Sequence, residues 1–163
     1  STDGLTRLNN RIYCENAIDA YIRMTKRPGI FMILDLDDFK YINDHCGHDS
    51  GDVVLIEVSK AIRNHLRFND IIGRLGGDEF IAFLPACRDT DVLKMKLDAI
   101  NAEIRNISID DPEYKGTSSS IGYCSYPKDG NTFLELYHKA DDALYKAKQD
   151  GKNKCVAYTS ENE

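Results

Sequence analysis

No stretch of this 163-residue sequence is apolar for long enough to cross a bilayer. The run Ile30 to Leu34 stops at Asp35, far short of the ~20 residues a spanning helix needs. The opening residues lack a basic segment followed by an apolar one, so no secretory leader is expected there. Basic residues are in the minority: 21 Lys and Arg stand against 27 Asp and Glu, a net charge of −6. That balance argues against a general binder of nucleic-acid polymers. It leaves a single nucleotide open, because a divalent cation and a few lysines meet its charge locally. Paired cysteines are also missing. Cys14, Cys46, Cys87, Cys124 and Cys155 are scattered, odd in number and form no C-x-x-C, so reduced structural thiols in a cytoplasmic setting are expected. His45, His48, His65 and His138 have none of the spacings of a zinc site. There is no internal repeat, low-complexity tract or second domain. The remaining composition, 42% apolar and 29% charged, suits one globular domain with its own core.

The chain is organised around Arg74-Leu75-Gly76-Gly77-Asp78-Glu79-Phe80. Apolar runs on either side, Ile71-Ile72 and Phe80 to Leu84, are joined by Gly-Gly and read as a β-hairpin, since glycine accepts the positive φ of a tight turn. Gly76 and Gly77 also let a ligand approach the backbone. Asp78 and Glu79 follow at once, a combination that suits a metal-bound nucleotide; the plain alternative is an acidic turn with no ligand.

Before the hairpin, Asn9 or Asn10 caps a helix to about Met24, with Ile12, Ala17, Ile18, Tyr21 and Ile22 at helical spacing. Gly29 to Leu36 is a buried strand that ends in acids. Alternation puts Asp35 and Asp37 on one face and Leu36 on the other. A carboxylate beside a core needs a partner; a hard cation is one for Asp35, while Asp37 or Asp38 alternatively caps the next helix. Phe39 to Asp44 is a short helix, and Asp49 or Ser50 caps another from Gly51 to about Leu66. Arg67 and Asp70 are spaced for one face at its end, where the plain reading is a local ion pair. After the hairpin come a helix from Asp91 to Ile107, a strand from Thr117 to Tyr126, a helix from Phe133 to Lys148 with Leu134 and Leu136 inward, and a last strand from Lys154 to Tyr158. The order α-β-α-α-β-β-α-β-α-β, with one tight hairpin in the middle, predicts an α/β (α+β) mixed sheet flanked by helices. Lys40, Lys148 and Lys152 are candidates to cover a triphosphate; each taken alone is a solvated surface lysine.

Taken together, these residues resemble the GGDEF domain of the diguanylate cyclase family. Gly76-Gly77-Asp78-Glu79-Phe80 is its signature. Asp3-Gly4-Leu5-Thr6 with Asn10-Arg11 is similar to its opening turn. Asp35 to Lys40, Asn43-Asp44 and Gly47 to Asp52 match its D-x-D-x-F-K-x-I-N-D-x-x-G-H-x-x-G-D stretch, and Ala140-Asp141 to Asn153 its last helix. The resemblance covers almost the whole chain. It implies a nucleotidyl-cyclase and polymerase-palm-like fold and the condensation of two GTP into cyclic di-GMP across a homodimer. It also implies a metal site of Asp35, the Leu36 carbonyl, Asp78 and Glu79 for Mg²⁺ or Mn²⁺, with Asp35, Asp78 and Glu79 in the catalytic role. Phosphates would lie on Gly76, Gly77, the Asp38 and Phe39 backbone, Lys40, Lys148 and Lys152. Guanine would be read by Asn43 and Asp52, which favours GTP over ATP.

The resemblance further implies product inhibition through Arg67 and Asp70, and an upstream sensor domain in a longer signalling protein of which residues 1–163 form a C-terminal fragment. That parent would be cytoplasmic or membrane-anchored, with no membrane segment in this chain. The chain departs from the pattern at Arg7, where Gly is common, at Asp38, and at Lys152, where Arg is common. The stretch Lys94 to Ile100 holds no arginine, which puts a second contact to bound product in doubt. A non-catalytic cyclic di-GMP or GTP receptor of the same fold is the alternative reading.

Overall fold

Asn10 starts the first helix: its side chain accepts a hydrogen bond from the Tyr13 amide at 3.0 Å, satisfying one of the donors a helix start leaves free. In the computed structural model, which describes residues 1–160, this helix is α1, Arg11–Met24. The apolar run that follows becomes β1, Gly29–Asp37, with Ile30 to Leu34 at most 1% exposed. The remaining strands are β2 (Ile71–Gly76), β3 (Glu79–Pro85), β4 (Ser118–Tyr126) and β5 (Cys155–Ala157). They form one sheet in the order β2-β3-β1-β4-β5. β1 is antiparallel to both β3 and β4, and β5 runs parallel to β4, so the sheet is mixed, as expected.

Alternation along the strands divides the core into two layers. Ile30, Met32, Leu34 and Leu36 pack against helices α2 (Phe39–Cys46), α3 (His48–His65) and α4 (Asp91–Arg105) through Ile42, Val54, Val58, Leu97 and Ile100. Phe31, Ile33, Ile81 and Phe83 face the other way, against Ile18 of α1 and Leu136, Ala140 and Leu144 of α5 (Phe133–Gln149). Each fully buried side chain of this size contributes about 1.5–3 kcal/mol. α5 sits directly on β4: a Cβ at Gly122 would lie 2.2 Å from the Leu144 amide nitrogen and 2.3 Å from the Ala140 carbonyl. That close seat carries the C-terminal half of α5 to the acidic end of β1.

Several boundaries differ from the expectation. α3 begins at His48 with Gly47 as its N-cap and no side-chain capping bond; Asp49 and Ser50 lie inside it, and Ser50 donates instead to Asp111 at 2.7 Å. α4 stops at Arg105, before Ile107. Ile12 and Leu134, expected inward, are 70% and 54% exposed. Each lies two residues from a buried one, Cys14 and Leu136, and two residues are about 200° of helix, the far side. Among the described residues, the five cysteines are free thiols, and no helix is long and apolar enough to cross a membrane.

Candidate active site

The hairpin turn is Gly77-Asp78, since Gly76 pairs with Glu79 across the strands. A bulge between Arg74 and Gly76 shifts the register and moves the turn one residue beyond the expected Gly-Gly. Gly76 and Gly77 have φ of +137° and +51°, and no atom lies within 4 Å of where a Cβ would stand. The backbone conformation, and not crowding, requires glycine at both. Arg74 fastens this turn. Its Nε donates to the Gly77 carbonyl at 2.9 Å, and Nη1 donates to Asp3 Oδ1 at 3.0 Å. Asp3 also accepts from the amide and hydroxyl of Thr6, both at 2.8 Å. Burial works against the charge on Asp3, yet these bonds hold its carboxyl below the usual range. The opening turn is thus riveted to the hairpin.

Asp35 of β1 stands directly opposite Glu79 of β3, so both side chains leave the sheet on the α5 side. The Lys148 ammonium donates to Asp35 Oδ2. Asp35 Oδ1 is buried and accepts no hydrogen bond. Asp78 lies within hydrogen-bond reach of Asp35: its own burial, then a hydrogen bond to the Asp35 carboxyl when Asp78 is protonated, and then the Asp35 charge push its pKa up to about 7, with Lys148 pulling the other way. Two carboxyls sharing a partly dry site resist double ionisation, and a hard cation relieves that repulsion. Glu79 Oε1 accepts from the Tyr137 hydroxyl of α5. As the side chains stand, no group of three or more His, Cys, Asp or Glu among the described residues is placed to hold a metal ion.

Asp37 shares the Asp35 face and is satisfied within the protein. It is 6% exposed and accepts from Ser118 at 2.6 Å, Ser120 at 2.7 Å and the Asn153 amide at 3.0 Å. Asp38 follows as the N-cap residue of α2, one of the two residues expected there, in a left-handed conformation, φ 56°, and caps through its carbonyl, which accepts from the Tyr41 amide at 3.0 Å, with no side-chain capping bond. Asp38 instead accepts from Lys152 Nζ at 2.9 Å. Phe39 packs half-buried on the core. Lys40 is exposed and engages Asp44 at 2.7 Å on its own helix, away from the acids. Asn43 lies over the start of α3, where a Cβ at residue 51 would stand 2.1 Å from its Oδ1; Asp52 is exposed on the adjoining turn. A cleft of about 530 Å³ opens beside Asp38, between Tyr41, Arg105 and Lys115.

The family model "Diguanylate cyclase, GGDEF domain" matches residues 1–154. The chain belongs to the GGDEF family. The bifunctional diguanylate cyclase/cyclic di-GMP phosphodiesterase MucR of Pseudomonas aeruginosa is 40% identical over 93% of this chain and 22% of its own length. Diguanylate cyclase TpbB of the same species is 36% identical over 92% and 35%, so the chain spans about a fifth to a third of these relatives. A solved structure comprising only the TpbB GGDEF domain superposes with a TM-score of 0.89 at 34% identity, covering 98% of this chain and 95% of that one. The coiled coil and GGDEF domain of DgcB from Caulobacter crescentus, in complex with c-di-GMP, gives 0.88 at 27% identity over 96% and 85%.

In this GGDEF domain Arg67 and Asp70 close a turn and do not form the expected side-chain ion pair. The Arg67 amide donates to Asp70 Oδ2 at 2.7 Å, and the Asp70 amide to the Arg67 carbonyl at 3.1 Å. Arg67 and Asp70 line two clefts, one of about 320 Å³ beside Arg7, Arg63 and Phe68, the other of about 280 Å³ beside Arg88 and Lys96. Lys96 on α4 supplies a cation where the stretch lacked arginine. Burial raises the Asp70 carboxyl, against the amide of Arg67 and the charge of Lys96. Arg74, Tyr137 and Asn153 had no role in the sequence reading. The bonds from Arg74 to Asp3, from Tyr137 to Glu79 and from Asn153 to Asp37 span 71, 58 and 116 residues, so no local spacing predicts them.

Proposed function

We propose that this GGDEF domain condenses two GTP molecules into cyclic di-GMP, one GTP held by each of two copies of the chain. The 3′-oxygen of each GTP attacks the α-phosphorus of the other; the α–β phosphoanhydride breaks, and pyrophosphate leaves with its electron pair. Support comes from one observation above the rest: Asp35 keeps a buried oxygen that no N–H or hydroxyl donor reaches, beside an Asp78 carboxyl that ionises there only against the Asp35 charge. Those oxygens suit a hard cation. Asp35, Asp78, Glu79 and the Leu36 carbonyl would hold Mg²⁺ or Mn²⁺, which when bound offsets phosphate charge and acidifies the attacking hydroxyl.

The chain's own groups do the rest. Lys148 and Lys152, now on Asp35 and Asp38, exchange carboxylate for phosphate when the triphosphate enters. The left-handed Asp38 backbone and Phe39 line the phosphates, and Gly76 and Gly77 leave open space above the turn. Lys40 reaches the phosphates only by leaving Asp44. Asn43 and Asp52 read guanine, the carboxylate accepting from N1–H and N2–H that adenine lacks. Arg67 and Asp70 take up the product and inhibit. Residues 1–163 act as one domain of a longer cytoplasmic or membrane-anchored protein, in which a sensor domain brings two copies together.

The test is mass-spectrometric detection of product from GTP and Mg²⁺ at high protein concentration. Cyclic di-GMP from the unaltered chain and none from Asp78→Ala supports the reading. Binding of GTP without product, even after fusion to a dimerising helix, overturns it in favour of a receptor.

A further inference from the structure

Resting on the cation-site reading above, we propose that Tyr137 is a positioning residue for Glu79: its hydroxyl holds one carboxylate oxygen and leaves the other for the cation. Tyr137 and Lys148 lie eleven residues apart on α5, about three turns, and so fall on one stripe of the helix. The two acids they bind, Glu79 and Asp35, are opposite one another across β3 and β1. Lys148 takes Asp35 Oδ2, and Oδ1 is left without a partner. Tyr137 takes Glu79 Oε1 in the same way. One helix thus holds a single oxygen of each carboxylate, the arrangement by which outer groups orient metal-ligating acids.

The Tyr137 ring is itself held in place. It packs 6.1 Å from the Phe133 ring and edge-on to Phe31 at 6.4 Å, between centroids. The Arg11 guanidinium lies 5.6 Å from both the Tyr137 and Phe133 rings, within cation–π range. A ring fixed by three neighbours gives its hydroxyl a fixed direction, so the bond to Glu79 orders the carboxylate at little further entropic cost.

Tyr137→Phe keeps the ring and removes only the donor. Mn²⁺ binding to the nucleotide-free chain, followed by electron paramagnetic resonance, is expected to weaken by about 10- to 100-fold. The Mg²⁺ concentration for half-maximal turnover rises in step, and the melting temperature in EDTA stays within a degree or two. A Glu79→Ala background is the control: there, Tyr137→Phe adds no further loss, whereas a merely structural role would. Unchanged or tighter Mn²⁺ binding in Tyr137→Phe, with binding still lost in Asp78→Ala, overturns the positioning role alone; tighter binding would make the tyrosine a competitor for Glu79. No Mn²⁺ binding by the unaltered chain overturns the cation site and this inference together.

Discussion

Asp78 gives the metal-free domain a pH dependence. Burial and the neighbouring Asp35 raise its pKa from 3.8 to about 7 in the fold. Between those values the folded chain holds a proton that the unfolded chain has released, so stability falls as pH rises from about 4 to about 7. Melting curves in EDTA should therefore fall more between pH 5 and pH 8 for the unaltered chain than for Asp78→Asn. Equal slopes would show that the two carboxyls do not compete. Arg74 is the second informative residue, with its side chain 13% and that of Asp3 19% exposed. Arg74→Ala strands a half-dry carboxylate, and about 2–3 kcal/mol of stability is expected to go, less than the ~3–5 of a fully buried pair. Arg74→Lys keeps the charge without the fork and should fall between; chemical denaturation measures both.

At the scale of elements, α5 decides where the site's cations and its tyrosine stand. Its seat on Gly122 leaves no room for a methyl group, because the opposing atoms are helix backbone and cannot rotate away. Gly122→Ala is expected to cost about 1–3 kcal/mol, or about 2–4 °C of melting temperature per kcal/mol in a chain of this size. Turnover should fall further than the lost folded fraction explains, since Lys148 and Tyr137 move with the helix. A loss of turnover that tracks stability alone would separate the helix from the site. The elements were largely legible in the sequence: β1 from its apolar run, α1 from the Asn9-Asn10 pair before its apolar spacing, the hairpin from its glycines. The start of α3 was not, because Gly47 caps it with backbone alone. The exposed Ile12 and Leu134 were misread because an apolar residue in a first helical turn carries no sign of which side the sheet will lie on.

For the whole molecule, the proposed two-copy active site predicts that specific activity rises with protein concentration, measured as cyclic di-GMP formed per chain over a dilution series. A flat series would confine the chemistry to one chain. Arg67→Ala is expected to lift product inhibition by tenfold or more in progress curves, with the uninhibited initial rate retained. The sequence alone determined the family, the mixed sheet, the acids and the presence of the R-x-x-D pair, since each is written in residue types whose spacing sets local geometry; that Arg67 and Asp70 close a turn came from the structure. Only the tertiary structure decided that Lys148 and Tyr137 reach Asp35 and Glu79, that Arg74 ties the hairpin to Asp3, and that Asp37 is spoken for by Ser118, Ser120 and Asn153. Those partners lie 58 to 116 residues apart in the chain. α5 and the turn after it, packed on the acidic ends of β1 and β3, bring Lys148, Tyr137 and Asn153; the pairing of β4 with β1 brings Ser118 and Ser120, and the opening turn docked on β2 brings Asp3 to Arg74, meetings in space that no local spacing encodes.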